Sequence, residues 1–165
     1  MVGRVREATP RDLDSVAELW SAITEHHAGI DEFFTQRSGL QAEREVRELI
    51  RRLHRESDAA IFVVDELDPS PAEEASILGM CIVRIDHAPP ILKETERGEI
   101  TDLFVRPEAR RGGVASALAT SALSWLRAAG VDRVEIQVAV GNAEGQAFWR
   151  ALGFGELMDV LQKRL

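Results

Sequence analysis

Two adjacent glycines between a predicted strand and a predicted helix are the feature that most constrains this chain. The segment Arg110-Arg111-Gly112-Gly113-Val114-Ala115 follows the strand-like run Glu99–Val105 and opens a helix-like run. Glycine has no Cβ, so the backbone can approach a ligand closely. The first N–H groups of a helix lack intrahelical partners and favour negative charge. The segment therefore predicts an anion-binding turn or, without a ligand, a tight connection between strand and helix.

A second motif follows the strand-like run Val134–Val140. It reads Asn-Ala-Glu-Gly-Gln-Ala-Phe-Trp-Arg-Ala-Leu-Gly-Phe over residues 142–154. The two segments, in this order, resemble the GNAT superfamily of N-acetyltransferases. The family's cofactor loop, Arg/Gln-x-x-Gly-x-Gly/Ala, is matched by Arg110, Gly113 and Ala115, and its second motif by Asn142, Phe148, Gly153 and Phe154. Ala147 lies one place from the family's usual small residue, and Trp149 stands where the family usually has tyrosine.

The pattern of apolar residues in the rest of the chain predicts a single domain over residues 1–165. The predicted order of its elements is β-αα-ββ-β-α-β-α-β. Hairpin-linked strands before the glycine turn favour antiparallel pairs, and the βαβ unit around the turn favours a parallel pair. The prediction is an α/β (α+β) fold with four helices and a mixed, mostly antiparallel central sheet of six to seven strands. The resemblance implies that the fourth and fifth strands splay apart and that coenzyme A enters the gap. The predicted strands are Val2–Ala8, Ala59–Asp65, Ile77–Asp86, Gly98–Val105, Arg133–Val140 and Leu157–Leu165.

Charge and cysteine content exclude several classes of partner. The net charge of −8 argues against a nucleic-acid or anionic-membrane partner, since either favours a basic surface. The single cysteine, Cys81, leaves no internal disulfide framework and fits a reducing compartment. No apolar run is long enough to span a membrane, and the N-terminus has no signal-peptide core. These features predict a cytoplasmic protein.

The resemblance implies acetyl-CoA as cosubstrate and no metal. The phosphates would contact the glycine turn and its arginines. The alternative for either arginine is exposure to solvent without a contact to phosphate. The pantetheine arm would pair with the backbone of the fourth strand, and the second motif would contribute one amide and one aromatic ring. The predicted cofactor-binding residues are Leu103, Phe104, Val105, Arg110, Arg111, Gly112, Gly113, Val114, Ala115, Ser116, Asn142 and Phe148.

Acetyl transfer to an amine needs a group that accepts a proton from the nitrogen. Counting back from Arg110, Glu99 falls on the glutamate that some GNAT enzymes use as general base, and Asp102 is the second candidate. Strict strand alternation places Glu99 and Asp102 on opposite faces. The family's usual acid is a tyrosine, but this chain contains none. Trp149 at that position can donate a hydrogen bond and cannot supply a proton near neutral pH.

The acceptor is predicted from the segments that contact substrate in the family, which are the first two helices and the loop before the fourth strand. Their acidic and aromatic side chains suit a cationic amine, either a small molecule or a peptide. Two alternatives stay open, a non-catalytic acyl-CoA-binding domain and an acetyltransferase of protein termini, and the last strand and second helix are compatible with a homodimer. The predicted substrate-binding residues are His26, Asp31, Phe33 and His87, with His27, Glu32 and Phe34 nearby.

Overall fold

A five-stranded mixed sheet forms the centre of the computed structural model, which describes residues 3–66 and 76–163. The sheet order is β1-β2-β3-β4-β5, with antiparallel pairs from β1 to β4 and a parallel β4–β5 pair. The strands are β1 (Val5–Glu7), β2 (Ala59–Asp65), β3 (Ile77–His87), β4 (Glu96–Val105) and β5 (Val134–Ile136). The helices are α1 (Leu13–Ala28), α2 (Leu40–Arg55), α3 (Val114–Ala128) and α4 (Ala143–Ala151).

The predicted mixed sheet and four helices are confirmed, but the predicted six to seven strands are wrong for the described residues, which form five. The strand predicted over Leu157–Leu165 is not formed: residues 157–163 have no regular structure, and the last two residues lie outside the described part. An apolar segment forms a strand only where a neighbouring strand also pairs with its backbone. No described strand lies beside this segment.

A β-bulge in β4 changes which side chains face each side of the sheet. Ile82 of β3 pairs with Asp102 and the next residue pairs with Ile100, so Thr101 is the extra residue. A bulge breaks the two-residue alternation. Ile100 and Leu103 therefore both pack in the cluster under α3. The predicted alternation along β4 is wrong for this reason, and Asp102 lies on the same face as Glu99.

Helices cover both faces of the sheet. The α3 face contains a core of buried side chains that includes Leu118, Leu126 and Trp149. The opposite face is covered by α1 and α2, with Val16, Leu19 and Ile50 buried against the strands. Burial on both faces stabilises the sheet by about 25 cal/mol per Å² of apolar surface removed from water.

A partly buried ion cluster joins β1, the start of α1 and β2. Arg6 donates hydrogen bonds to Asp12 at 2.7 and 3.0 Å and to Asp65 at 2.7 and 2.8 Å. The Asp12 carboxylate also accepts from Thr9 N and Thr9 Oγ1. The helix therefore begins at Leu13, after a turn that Asp12 holds. The Arg6 hydrogen bond, with those from Thr9, lowers the pKa of Asp12 to about 2 against the effect of burial.

Replacing Asp12 with asparagine should lower the free energy of unfolding at pH 7 by about 2 kcal/mol, because the depressed pKa reports preferential stabilisation of the ionised carboxylate in the native state. That stability is present above the unfolded pKa and is lost as pH falls through the native value. The difference between the two proteins should therefore shrink from about pH 4 to pH 2. Urea denaturation at pH 7 and pH 2.5 measures it.

The matched control is Asp14→Asn, since Asp14 is 63% exposed and lies 3.4 Å from Arg51. Exposed ion pairs contribute little, so this variant should stay within about 0.5 kcal/mol of the parent. Equal losses in the two variants would contradict a specific role for the Arg6 cluster.

Candidate active site

A cavity of about 360 Å³ lies where β4 and β5 separate. The two strands pair at only three positions, which end at Ile100 and Ile136. Beyond these residues β4 continues to Val105, whereas the chain after β5 diverges toward α4. The walls of the cavity are the second half of β4, the start of α3, residues 136–138 and the start of α4. The separation of the fourth and fifth strands, which the resemblance implies, is therefore seen where the pairing of β4 with β5 ends.

The glycine turn closes one end of this cavity. Arg111 and Gly113 both have positive φ, 62° and 83°, and α3 begins immediately afterwards at Val114. A positive φ is strained for arginine and easily adopted by glycine. Backbone strain of this kind is often found at ligand sites. The first residues of α3, Val114 to Ser116, line the cavity. The first N–H groups of a helix have no intrahelical partner, so a helix start of this kind is suited to an anion.

The two arginines of the turn differ in their contacts. Arg110 Nε donates to Val105 O at 3.1 Å, and the guanidinium carbon lies 5.7 Å from the Phe104 ring centroid. Arg110 is therefore held against β4. Arg111 also lines the cavity and makes no hydrogen bond or ion pair to another described residue. It is the cation of the turn that remains available to a phosphate.

The second motif shapes the opposite wall. The Asn142 side chain accepts a hydrogen bond from Gly145 N at 2.9 Å and caps α4. A Cβ at Gly145 would lie 2.7 Å from Asn142 Nδ2, so the cap needs glycine there. Every predicted cofactor-binding residue except Gly112 lines the cavity.

Trp149 is a packed aromatic residue at this wall. Its side chain is largely buried, and its ring lies 4.9 Å from the Phe148 ring and 5.2 Å from the Phe154 ring in edge-to-face geometry. Such contacts fix the orientation of the indole. Trp149 and Phe148 both line the cavity, where they form an apolar surface.

The two candidate bases lie on one face of β4 with different surroundings. Asp102 lines the cavity, and Glu99 does not. Glu99 accepts a hydrogen bond from Arg84 Nε at 3.0 Å. Burial raises the pKa of Asp102, and the charge of Glu99 raises it further, against hydrogen bonds from the side chains of Thr101 and Trp20. Asp102 therefore has the raised affinity for a proton that a general base uses.

Two histidines of α1 face the same region. His26 and His27 line the cavity beside Ile23, with their ring centroids 5.9 Å apart. The His27 ring also lies 5.2 Å from that of Phe34. Burial, and secondarily the neighbouring His26, lowers the pKa of His27. His27 is therefore mainly neutral at physiological pH.

The other predicted substrate residues lie outside the cavity lining. Asp31 caps a short helical turn by accepting from Phe33 N at 2.8 Å. Phe33 is 70% exposed and packs edge-on against Phe34. His87 ends β3, where its ring nitrogens lie 3.5 Å from Asp58 and 3.8 Å from Glu96. Of the predicted substrate-binding residues, His26 lines the cavity, whereas the other three lie outside the lining.

Several lining residues had no sequence signal. Ile23 reads as an ordinary core position of α1. Trp20 reads the same way; it lies outside the lining and interacts with Asp102. Glu144 lies in the second motif at a position that the family pattern leaves open. Over the described ranges, there is no group of three or more metal-ligating side chains and no helix long and apolar enough to cross a membrane.

A profile of the Acetyltransferase (GNAT) family matches residues 18–154, which include the cavity walls and both motifs. The chain belongs to this family. Mycothiol acetyltransferase of Beutenbergia cavernae is 47% identical over 57 residues, which are 34% of this chain. The matched part is only 19% of that enzyme's length. The local match supports membership of the family and leaves the activity of the larger enzyme outside the comparison.

Solved structures share this fold over nearly the whole length of the chain. A tetramutant of the BH1408 protein from Bacillus halodurans superposes with a TM-score of 0.79 at 22% identity, covering 98% of this chain and 99% of that one. The aminoglycoside N-acetyltransferase AAC(6')-Iy, solved in complex with CoA, gives 0.71 at 17% identity, covering 98% and 93%. At such identities the likeness concerns the fold alone.

Proposed function

We propose that this GNAT protein transfers an acetyl group from acetyl-CoA directly to an amine. One observation carries the proposal: the cavity extends from the glycine turn to a half-buried carboxylate, Asp102, of β4. A thioester bound with its phosphates at the turn and its arm along β4 would place its acetyl group near that carboxylate. A single acyltransferase unit without a metal is sufficient for this chemistry.

The backbone of the glycine turn would bind the phosphates, with Arg111 adding a charge-assisted contact. The free edge of β4 at Leu103–Val105 would pair with the amides of the pantetheine arm, as an added strand does. The GNAT structure of the aminoglycoside enzyme contains CoA, which supports a cofactor of this class. A β4 N–H would face the thioester oxygen and stabilise the negative charge that develops on it.

The reaction needs the amine as a neutral nucleophile. We assign Asp102 as the group that accepts its proton, directly or through a water, because Asp102 faces the cavity. Glu99 remains the alternative base. If Asp102 is the base, the role of Glu99 is to raise the pKa of Asp102 through its negative charge. The nitrogen forms the new bond to the acetyl carbon, the C–S bond breaks, and coenzyme A leaves as a thiolate that takes up a proton from solvent. An ordinary thiol has a pKa of about 8.5, so no strong acid is needed.

The acceptor is proposed to be a small cationic amine, since Asp102 and the first turn of α4 contribute carboxylates to the lining. A panel of polyamines, aminoglycosides and lysine peptides, assayed with acetyl-CoA for thiol release, tests this. Release that depends on a small amine supports the proposal. Release with peptides alone would indicate a protein acetyltransferase, and binding of acetyl-CoA without release for any amine would favour the non-catalytic alternative.

Trp149 should act through packing rather than as an acid. Trp149→Phe keeps an apolar ring and removes one N–H donor, so kcat should fall tenfold or less. Trp149→Tyr places a phenol at the family's usual acid position and should retain activity. Turnover of the three proteins with one acceptor across pH 6–9 measures this. A loss of about 10³ in Trp149→Phe, with melting temperature and coenzyme A affinity unchanged, would contradict a packing role.

A further inference from the structure

Two turns of the chain meet beside the cavity. Ile30 lies just after the end of α1, and Gly141 lies just before Asn142, the residue that caps α4. A Cβ built at Gly141 would lie only 2.7 Å from Cγ2 of Ile30, well inside the roughly 3.5–4.0 Å at which carbon atoms pack. The Ile30 side chain is therefore in contact with the Gly141 backbone. This contact, called the bridge below, connects the α1 side of the molecule with the α4 side.

Both sides of the bridge are held by hydrogen bonds. Ile30 N donates to His27 O at 2.9 Å, which ties this residue to the last turn of α1. Before Gly141, the Val140 carbonyl accepts from Gln146 Nε2 at 2.9 Å, which ties this connection to α4. Isoleucine is also stiff at χ1, because it is branched at Cβ. Widening the gap therefore requires one of the two turns to move, and rotation of a side chain is not enough.

The bridge lies at the rim of the cavity. His27 and Asn142 line the cavity, and they stand three residues before Ile30 and one residue after Gly141. Ile30 and Gly141 themselves are not among the lining residues. Because each is joined to a lining residue by a short stretch of chain, the bridge limits the width of the cavity between its α1 and α4 walls.

The amine has to reach the cavity from the α1 side if acetyl-CoA binds as proposed. The phosphates would occupy the glycine turn, and the acyl arm would follow β4. Asp102, which would take the proton of the amine, pairs with Ile82 of the core beneath α1 and α2. It therefore lies on the sheet face that α1 covers, where His26 and His27 also line the cavity. The nitrogen would approach Asp102 beneath the end of α1, next to the bridge.

We propose that Ile30 determines which amines reach the site: the bridge admits a primary amine on an unbranched chain and disfavours one on a ring. The inference rests on the proposed acetylation of an amine and adds the shape of its substrate. An unbranched alkyl chain is narrower than a ring, which would have to push the two hydrogen-bonded turns apart. A misfit of one methylene in a tight apolar site changes selectivity by roughly 10- to 200-fold.

Selectivity between n-hexylamine and cyclohexylmethylamine tests the proposal, since the two amines carry the same charge and differ in width. Ile30→Ala should raise kcat/KM for the cyclic amine, relative to hexylamine, at least about tenfold. The matched control is Val140→Ala, next to Gly141, which trims a side chain that is 93% exposed. This control should keep the selectivity of the parent protein. The affinity for acetyl-CoA should be the same in all three proteins.

A double-mutant comparison tests the bridge itself. Gly141 is not among the glycines with positive φ, so alanine is compatible with its backbone. In the parent protein, Gly141→Ala places a methyl group against Ile30, so it should displace one turn and change the selectivity at least about threefold. In the Ile30→Ala background the atom that the methyl group meets is absent, so the same substitution should have almost no effect. Such non-additivity is typical of two residues in contact.

The binding of the amines separates this inference from the proposed function. Titration calorimetry of both amines into the protein with coenzyme A gives the ratio of their Kd values without turnover. If the parent protein binds the amines but acetylates neither, the proposed function fails, and a Kd ratio that Ile30→Ala shifts still supports the bridge. A ratio unchanged in Ile30→Ala, an equal change in Val140→Ala, additive effects in the double variant, or binding of neither amine would each overturn the inference.

Discussion

Asp102→Asn is expected to lower kcat for amine acetylation by about 10²- to 10⁴-fold, the usual cost of losing a general base. Asparagine keeps the size of the side chain and removes the basic oxygen. Asp102 lines the cavity, and Trp20 and Thr101 donate hydrogen bonds to its carboxyl. The melting temperature and the affinity for acetyl-CoA should change little, because the substitution alters a proton acceptor and not the cofactor turn.

The pH dependence gives a second readout of the same substitution. The pKa of Asp102 is raised above its ordinary value, mainly by burial. A base acts when ionised, so activity should fall as pH decreases through this raised pKa. The acid limb of kcat/KM against pH should be present in the parent protein and absent from Asp102→Asn. Rates with one amine across pH 4.5–9 measure it.

Glu99→Gln is the matched comparison, since both carboxyls lie on one face of β4. Glu99 does not line the cavity and is paired with Arg84. Removing its charge should lower the pKa of Asp102 and move the acid limb to lower pH, with less than a tenfold change in kcat at pH 8. The opposite pattern, with Glu99→Gln nearly inactive and Asp102→Asn close to the parent, would make Glu99 the base.

The bulge at Thr101 explains why the sequence alone placed Glu99 and Asp102 on opposite faces of β4. Alternation along a regular strand places Glu99 and Asp102 on opposite faces, and only one extra residue brings them together. The sequence Gly-Glu-Ile-Thr-Asp-Leu contains no glycine or proline at the bulge to indicate it. Pairing with β3 decides the register, and that pairing depends on residues far along the chain.

The glycine turn and the elements around it were predictable because their causes are local. β2 has the predicted bounds, and α3 begins within one residue of the predicted position. The turn requires a positive φ at residue 113, and glycine adopts this conformation easily. The acceptor side was less predictable, since His26 reaches the cavity only through the packing of α1 on the sheet.

β5 was predicted to be longer than it is, and a last strand was predicted over Leu157–Leu165, where the described residues form none. Apolar and polar residues alternate over residues 134–138, but β5 ends at Ile136. The Gln146 side chain donates to the backbone oxygens of Ala139 and Val140, which diverts the chain from the sheet. A strand pattern therefore becomes a strand only where a neighbouring strand pairs with its backbone.

Gly113→Glu is expected to abolish the stabilisation of the protein by acetyl-CoA. A ligand at a hundredfold excess over its Kd stabilises the native state by about 2.7 kcal/mol. For a domain of this size that is roughly 5–10 °C in melting temperature. Glutamate at this position puts a side chain and a negative charge into the turn that would hold the phosphates. The melting temperature with and without acetyl-CoA measures the effect.

Gly130→Glu separates loss of binding from backbone strain, because Gly113 and Gly130 flank the two ends of α3 with φ values of 83° and 82°. Glutamate at either position pays a similar conformational cost, about 1–2 kcal/mol. A Cβ at Gly130 meets nothing within 4 Å, and this residue is outside the cavity lining. Both variants should therefore melt below the parent protein, but only Gly130→Glu should keep the full shift with acetyl-CoA. A normal shift in Gly113→Glu would place the phosphates elsewhere, and loss of the shift in both variants would mean that strain in α3, rather than the added charge, disrupts the site.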